Sequence, residues 1–151
     1  NEPYLIEYNI RMGDPECQVI LPRLKTDLVK ILNYAISNKL RKVEIKWKKE
    51  KSMTIVVCSQ GYPGKYKKNL PIRNMNKLNL TKKDFIFHAG TYFSNNELRS
   101  HGGRVLNFTS IGNKFKDIRQ KILSNIRKLN WSKGFYRRDI GWKVINKNEN
   151  N

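Results

Sequence analysis

Glu7, Asn9 and Arg11 stand at every second position of Tyr4-Leu5-Ile6-Glu7-Tyr8-Asn9-Ile10-Arg11-Met12. A strand sends alternate side chains to opposite faces, so this spacing predicts a carboxylate, an amide and a guanidinium in one row. Tyr4, Ile6, Tyr8, Ile10 and Met12 would then form the apolar face. At the rise of a strand, Glu7 and Asn9 lie roughly 7 Å apart, a span that suits two oxygen ligands of hard cations bridging a polyphosphate. Mg²⁺ prefers one or two carboxylates plus substrate phosphates, and an Asn carbonyl adds an oxygen without further negative charge. Arg11 can fork onto a carboxylate or a phosphoryl oxygen. The same row also fits a solvated strand face, and on physics alone both readings stand.

Those residues need a framework. The 151 residues are 38% hydrophobic and 11% aromatic, enough for one domain with a core, or for one and a half small ones. No apolar run nears the roughly 18 residues of a membrane helix. Asn1-Glu2-Pro3-Tyr4 lacks the basic-then-apolar layout of a secretion signal, and without an initiator Met the chain is expected to be a piece of a longer one. Cys17 and Cys58 have neither CxxC nor metal-ligand spacing and read as reduced thiols of a cytoplasmic protein. A net charge of +19 suits a nucleic-acid binder. Its 21 Lys and 10 Arg are scattered, however, with clusters at 39–51, 65–68, 114–128 and 133–143 and no Arg-and-aromatic RNA signature. A lysine-rich solvated surface accounts for the charge as well, which leaves a basic nucleic-acid-binding module as the alternative.

Gly13-Asp14-Pro15 supplies turn chemistry after the first strand. Apolar residues from Leu24 to Leu40 recur at helical spacing, with Thr26 or Asp27 as cap. Lys42–Lys48 alternates again, with Val43, Ile45 and Trp47 inward. Lys48-Lys49-Glu50-Lys51-Ser52 is a charged joint, and predicts a first unit at 1–50, a second at 51–148 and a polar tail at 149–151. The β-branched run Met53–Cys58 predicts a buried strand, ended by the turn residues Gln60-Gly61-Tyr62-Pro63-Gly64. Short strands are expected at Leu70–Ile72, Phe85–Ala89, Thr91–Phe93, Arg104–Ser110 and Gly141–Ile145. One amphipathic helix carries Phe115, Ile118, Ile122, Leu123, Ile126 and Leu129, with Asn113 placed to cap it. Together these give an α+β fold on a mostly antiparallel sheet.

The run Glu7-Tyr8-Asn9-Ile10-Arg11-Met12-Gly13-Asp14-Pro15-Glu16-Cys17-Gln18 resembles a signature, roughly E-x-N-x-R-[FL]-G-D-P-E-x-Q, at the end of the ATP-grasp domain of the phosphoribosylamine–glycine ligase (glycinamide ribonucleotide synthetase) family. Met12 replaces the usual Phe or Leu. The resemblance continues, in family order, through Lys25-Thr26-Asp27-Leu28, Gly61-Tyr62-Pro63-Gly64, Phe87-His88-Ala89-Gly90-Thr91, Gly102-Gly103-Arg104-Val105-Leu106 and Arg138-Asp139-Ile140-Gly141-Trp142. It implies that 1–50 is the last strand and helix of an ATP-grasp domain and that 51–148 is the C-terminal domain. The lobes that hold adenine and the phosphates, and a doubly wound domain before them, would lie upstream.

The resemblance also implies an activity. The family uses ATP to join glycine to 5-phosphoribosylamine through glycyl phosphate, in purine synthesis. Glu7 and Asn9 match its ligands for Mg²⁺ (or Mn²⁺). By analogy with related ATP-grasp enzymes, Arg11 would bind the glycine carboxylate. Asp14 and Glu16 would meet the glycine amine, or Asp14-Pro15 would only shape the turn. Arg104 would meet the ribose phosphate, or sit in an ordinary hairpin; His88 fits a structural role or a base. A regulatory domain with a decayed site is a third reading, against which the joint presence of Glu7, Asn9 and Arg11 argues. The 151 residues alone are expected neither to bind ATP tightly nor to turn over.

Overall fold

The computed structural model describes residues 2–149. In chain order its elements are α1 (Glu16–Ile20), α2 (Leu28–Ile36), β1 (Lys51–Ser59), β2 (Pro71–Ile72), β3 (Asp84–His88), β4 (Thr91–Ser94), β5 (Glu97–Ser100), β6 (Arg104–Gly112), α3 (Phe115–Leu129), β7 (Gly134–Phe135) and α4 (Trp142–Glu149). Four antiparallel strands in the order β3-β6-β1-β7 form the main sheet, and β2-β5-β4 form a smaller one. This is the α+β class that the patterning predicts.

Cross-strand partners share a face, so the register divides the residues of the main sheet. Met53, Ile55 and Val57 stand opposite Ser110, Phe108 and Leu106. Over them lies α3, whose Ile118, Ile122, Ile126 and Leu129 are buried at helical spacing. Each such aliphatic side chain contributes about 1.5–3 kcal/mol by leaving water. The opposite face is more polar: Thr54 faces Thr109, whose hydroxyl donates to that of Thr54 at 2.8 Å, and Val56 faces Asn107. Against β1 and β6 on this side pack α1 and, on β1, the 3-10 turn Leu21–Arg23.

The β1–β6 register slips once. Val57 pairs with Leu106, but Cys58 pairs with Arg104, so Val105 is an extra residue in β6. A bulge of this kind re-aims the side chains that follow it.

Several elements differ from the expectation. The segment 4–12 forms no strand, with a bend at Ile10–Arg11, and Tyr4, Ile6 and Tyr8 are 83%, 93% and 85% exposed. A strand is held by its ladder, and these residues have no neighbouring strand to complete one. The helix over 24–40 shortens to α2, capped by Asp27, whose Oδ1 accepts from the Lys30 N–H at 2.7 Å. The strand at 42–48 reduces to a single bridge, Leu24 to Trp47, because only 23–26 runs alongside it. At 141–145 a helix replaces the strand: Gly141 takes φ +83 and its carbonyl accepts from Ile145 N–H, opening α4. Five residues of apolar alternation could not separate the two, and the polar Asn146–Glu149 continues the helix. The cap of α3 is Lys114, not Asn113, and it makes no side-chain cap bond. Of the tail expected at 149–151, the residues after Glu149 lie outside the described ones.

Candidate active site

Glu7 and Asn9 are neighbours although the segment forms no strand: Asn9 Nδ2 donates to Glu7 Oε1 at 2.7 Å on an exposed stretch of chain. An amide beside a carboxylate offers two hard oxygens, which fits Mg²⁺ or Mn²⁺ provided other oxygens complete the shell. Among the described residues, no three of His, Cys, Asp and Glu converge on one point. Arg11 turns away from the pair and donates from Nη1 to the Met12 carbonyl at 2.9 Å.

Five residues further on, the chain docks onto the main sheet. The Gly13 carbonyl accepts from the Cys17 N–H at 2.9 Å, closing the turn into α1. Asp14 Oδ1 accepts from Gln18 Nε2 and from Asn107 Nδ2, both at 2.9 Å. Arg104 pairs through Nε with Asp14 Oδ2 at 3.3 Å, and its Nη1 donates to the Asp14 main-chain carbonyl at 2.5 Å. Two candidates 90 residues apart are thus in direct contact. The Glu16 carboxylate folds back over Gly13 so closely that a Cβ there would lie 2.2 Å from Oε2. Buried Cys58, opposite Arg104 in the ladder, adjoins this cluster. Burial pushes its thiol pKa up; Arg104 offsets part of the rise and Asp14 adds to it.

The structure therefore gathers Asp14 and Arg104, with Glu16 next to them in the turn, and holds Glu7 beside Asn9 on the segment leading into it. His88 sits apart, exposed, with Nδ1 at 2.8 Å from the Thr91 hydroxyl. Asn107 and Gln18 are the residues to which sequence reasoning gave no role. Asn107 left one signal, an amide inside the otherwise apolar Val105-Leu106-Asn107-Phe108, but the bulge that sets its face leaves none.

A family model described as the C domain of phosphoribosylglycinamide synthetase matches residues 52–143. The chain belongs to this family. It is 44% identical over 143 residues to the phosphoribosylamine–glycine ligase of Agrobacterium fabrum, covering 95% of this chain and 33% of that protein. To the chloroplastic phosphoribosylamine–glycine ligase of Arabidopsis thaliana it is 41% identical, with 95% and 27% covered. The crystal structure of phosphoribosylamine–glycine ligase from Thermotoga maritima superposes with a TM-score of 0.67 at 28% identity, covering 91% of this chain and 33% of that one. This member of the synthetase family spans about a third of the length of the curated relatives it matches. No helix among its described residues is long and apolar enough to cross a membrane.

Proposed function

We propose that this chain is part of an ATP-dependent carbon–nitrogen ligase that joins glycine to 5-phosphoribosylamine. The observation that carries this reading is the Glu7-to-Glu16 signature seated, through Asp14, on a domain of the synthetase family. On this reading 1–50 ends an ATP-grasp domain, 51–148 is the C-terminal domain, and the rest of the active site comes from upstream parts of the same enzyme. Free Cys17 and Cys58 support a cytoplasmic setting.

In the reaction, a glycine carboxylate oxygen takes the terminal phosphoryl group of ATP and ADP leaves. The phosphoribosylamine nitrogen then attacks the acyl carbon, the carbon–oxygen bond to phosphate breaks, and the nitrogen loses a proton. Glu7 and Asn9 would hold Mg²⁺ or Mn²⁺, which offsets negative charge on the phosphates. Arg11, freed from the Met12 carbonyl, would pair with the glycine carboxylate and orient it. Glu16 has an exposed carboxylate for the glycine amine. Asp14 has both oxygens engaged, which supports the turn-shaping role over contact with the amine.

The deciding experiment measures ADP release by the full-length protein with ATP, Mg²⁺, glycine and fresh phosphoribosylamine, each omitted in turn, alongside Glu7→Gln and Asn9→Ala. Release that needs both substrates and collapses in both variants is expected. Full activity in the variants would move the metal site elsewhere, and an inactive wild type would sink the ligase reading.

A further inference from the structure

Two residues of β6 converge on Asp14, and a regular strand would not let them. Positions 104 and 107 are three apart, so regular alternation would send their side chains to opposite faces. The extra residue at Val105 corrects the phase. Arg104 then pairs with Cys58 and Asn107 with Val56, two positions on one face of β1. Fully buried Asn107 commits its amide N–H to Asp14 while its own Oδ1 accepts from no protein donor, and the buried Gln18 Oε1 is in the same position. Buried polar groups are normally satisfied, so a pair left half-satisfied around one carboxylate marks a place where geometry takes precedence over stability.

We propose that Arg104 and Asn107 are positioning residues: acting through Asp14, they hold the Gly13–Glu16 turn, and with it the segment bearing Glu7 and Asn9, in register with the sheet of the C-terminal domain. This rests on the ligase reading above. Arg104 then acts on the site by fixing the turn, in place of the direct contact with a ribose phosphate that the resemblance suggests. Its guanidinium meets Asp14 at both the side chain and the main chain, and so fixes the orientation of the turn as well as its position.

The test uses the full-length enzyme with Arg104→Met, Arg104→Lys, Asn107→Leu, Asp14→Asn and the double variant Arg104→Met/Asp14→Asn. Partners that orient metal ligands typically account for about 10- to 100-fold in activity or metal affinity. A fall of that size in kcat, with a raised Mg²⁺ requirement and an unchanged KM for phosphoribosylamine, is expected for Arg104→Met and Asn107→Leu. Arg104→Lys should recover part of it. The double variant should be no worse than Asp14→Asn alone, because both changes break one linkage. Amide hydrogen exchange at 13–18 should quicken in Arg104→Met, an exposed change that leaves the core intact. A raised KM for phosphoribosylamine with kcat preserved would make Arg104 a direct ligand and overturn the proposal. So would unchanged exchange at 13–18. If the wild type shows no glycine-dependent ADP release, the ligase reading fails on its own, while the exchange comparison still decides whether Arg104 holds the turn.

Discussion

Asp84 is the most heavily bonded carboxylate among the described residues. Its Oδ1 accepts from the Ser110 hydroxyl, and its Oδ2 accepts from the Thr81 N–H, the Thr81 hydroxyl and the Lys121 ammonium, each at 2.7 Å. Burial pushes its pKa up, but the bonds from Lys121, Ser110 and Thr81 outweigh burial and leave it below the ordinary range. A lowered folded-state pKa means that the carboxylate stabilises fully above the unfolded value of about 3.9. That stability is lost as pH falls through the lower folded value. Asp84→Asn should therefore cost about 1–3 kcal/mol at neutral pH, from donors left without an acceptor. In urea titrations over a pH series, the gap to wild type should close below about pH 4; a gap independent of pH would remove Asp84 as its source. Cys58 belongs to the same scale. Buried and with its thiol pKa raised, it should resist alkylation at neutral pH until the chain is unfolded. Mass spectrometry after a brief iodoacetamide pulse reads this directly.

At the scale of elements, the hairpin of β4 and β5 shows what sequence can and cannot reveal. Asn95 and Asn96 both take positive φ between Ser94 and Glu97, which face each other in the ladder. An Asn pair is a signal for such a two-residue turn, yet β5, with its alternating charges Glu97 and Arg99, hides among polar neighbours. The apolar rows of β1, β6 and α3 were legible because one periodicity runs through each. The segment 4–12 carries an equally clear alternation and still fails to pair, and 42–48 pairs only through one bridge, since periodicity states a preference and not the presence of a partner. The adjacency of Glu7 and Asn9 follows from their spacing, though Arg11 turns away from them, whereas the convergence of Arg104 and Asn107 depends on a one-residue slip that no pattern announces. Close backbone approach is similarly invisible beforehand. A Cβ on Gly90 would come within 2.5 Å of the Arg104 carbonyl and 2.7 Å of the Gly102 Cα. Gly90→Ala must displace the start of β6, so a loss of about 1–3 kcal/mol is expected in denaturant unfolding, together with faster exchange of the Arg104–Leu106 amides.

At the scale of the whole molecule, the two halves of the chain are covered very differently. Residues 51–146 bury their apolar rows, while Val29, Leu32 and Ile36 of α2 remain 63%, 51% and 82% exposed, in line with the apolar side chains of 4–10. A surface of this kind normally meets protein. The isolated chain should therefore bind a hydrophobic dye through its first 45 residues and should show no glycine-dependent ATP turnover. Removing residues 1–12 should reduce dye binding without lowering the unfolding midpoint of the remainder. A midpoint that falls would mean those residues support the fold.

The contact between Asp14 and β6 also bears on the order in which the molecule is built. Its partners are separated by 90 and 93 residues, so the turn is made well before its partners and must wait for nearly the whole main sheet before it has anything to hold. Closing so long a loop is entropically costly, and contacts of that range tend to form late. Arg104→Met should accordingly leave the refolding rate of the chain almost unchanged and quicken its unfolding, a pattern that stopped-flow rates against urea would reveal. The turn proposed to position the metal ligands would be the last part to arrive and the first to leave.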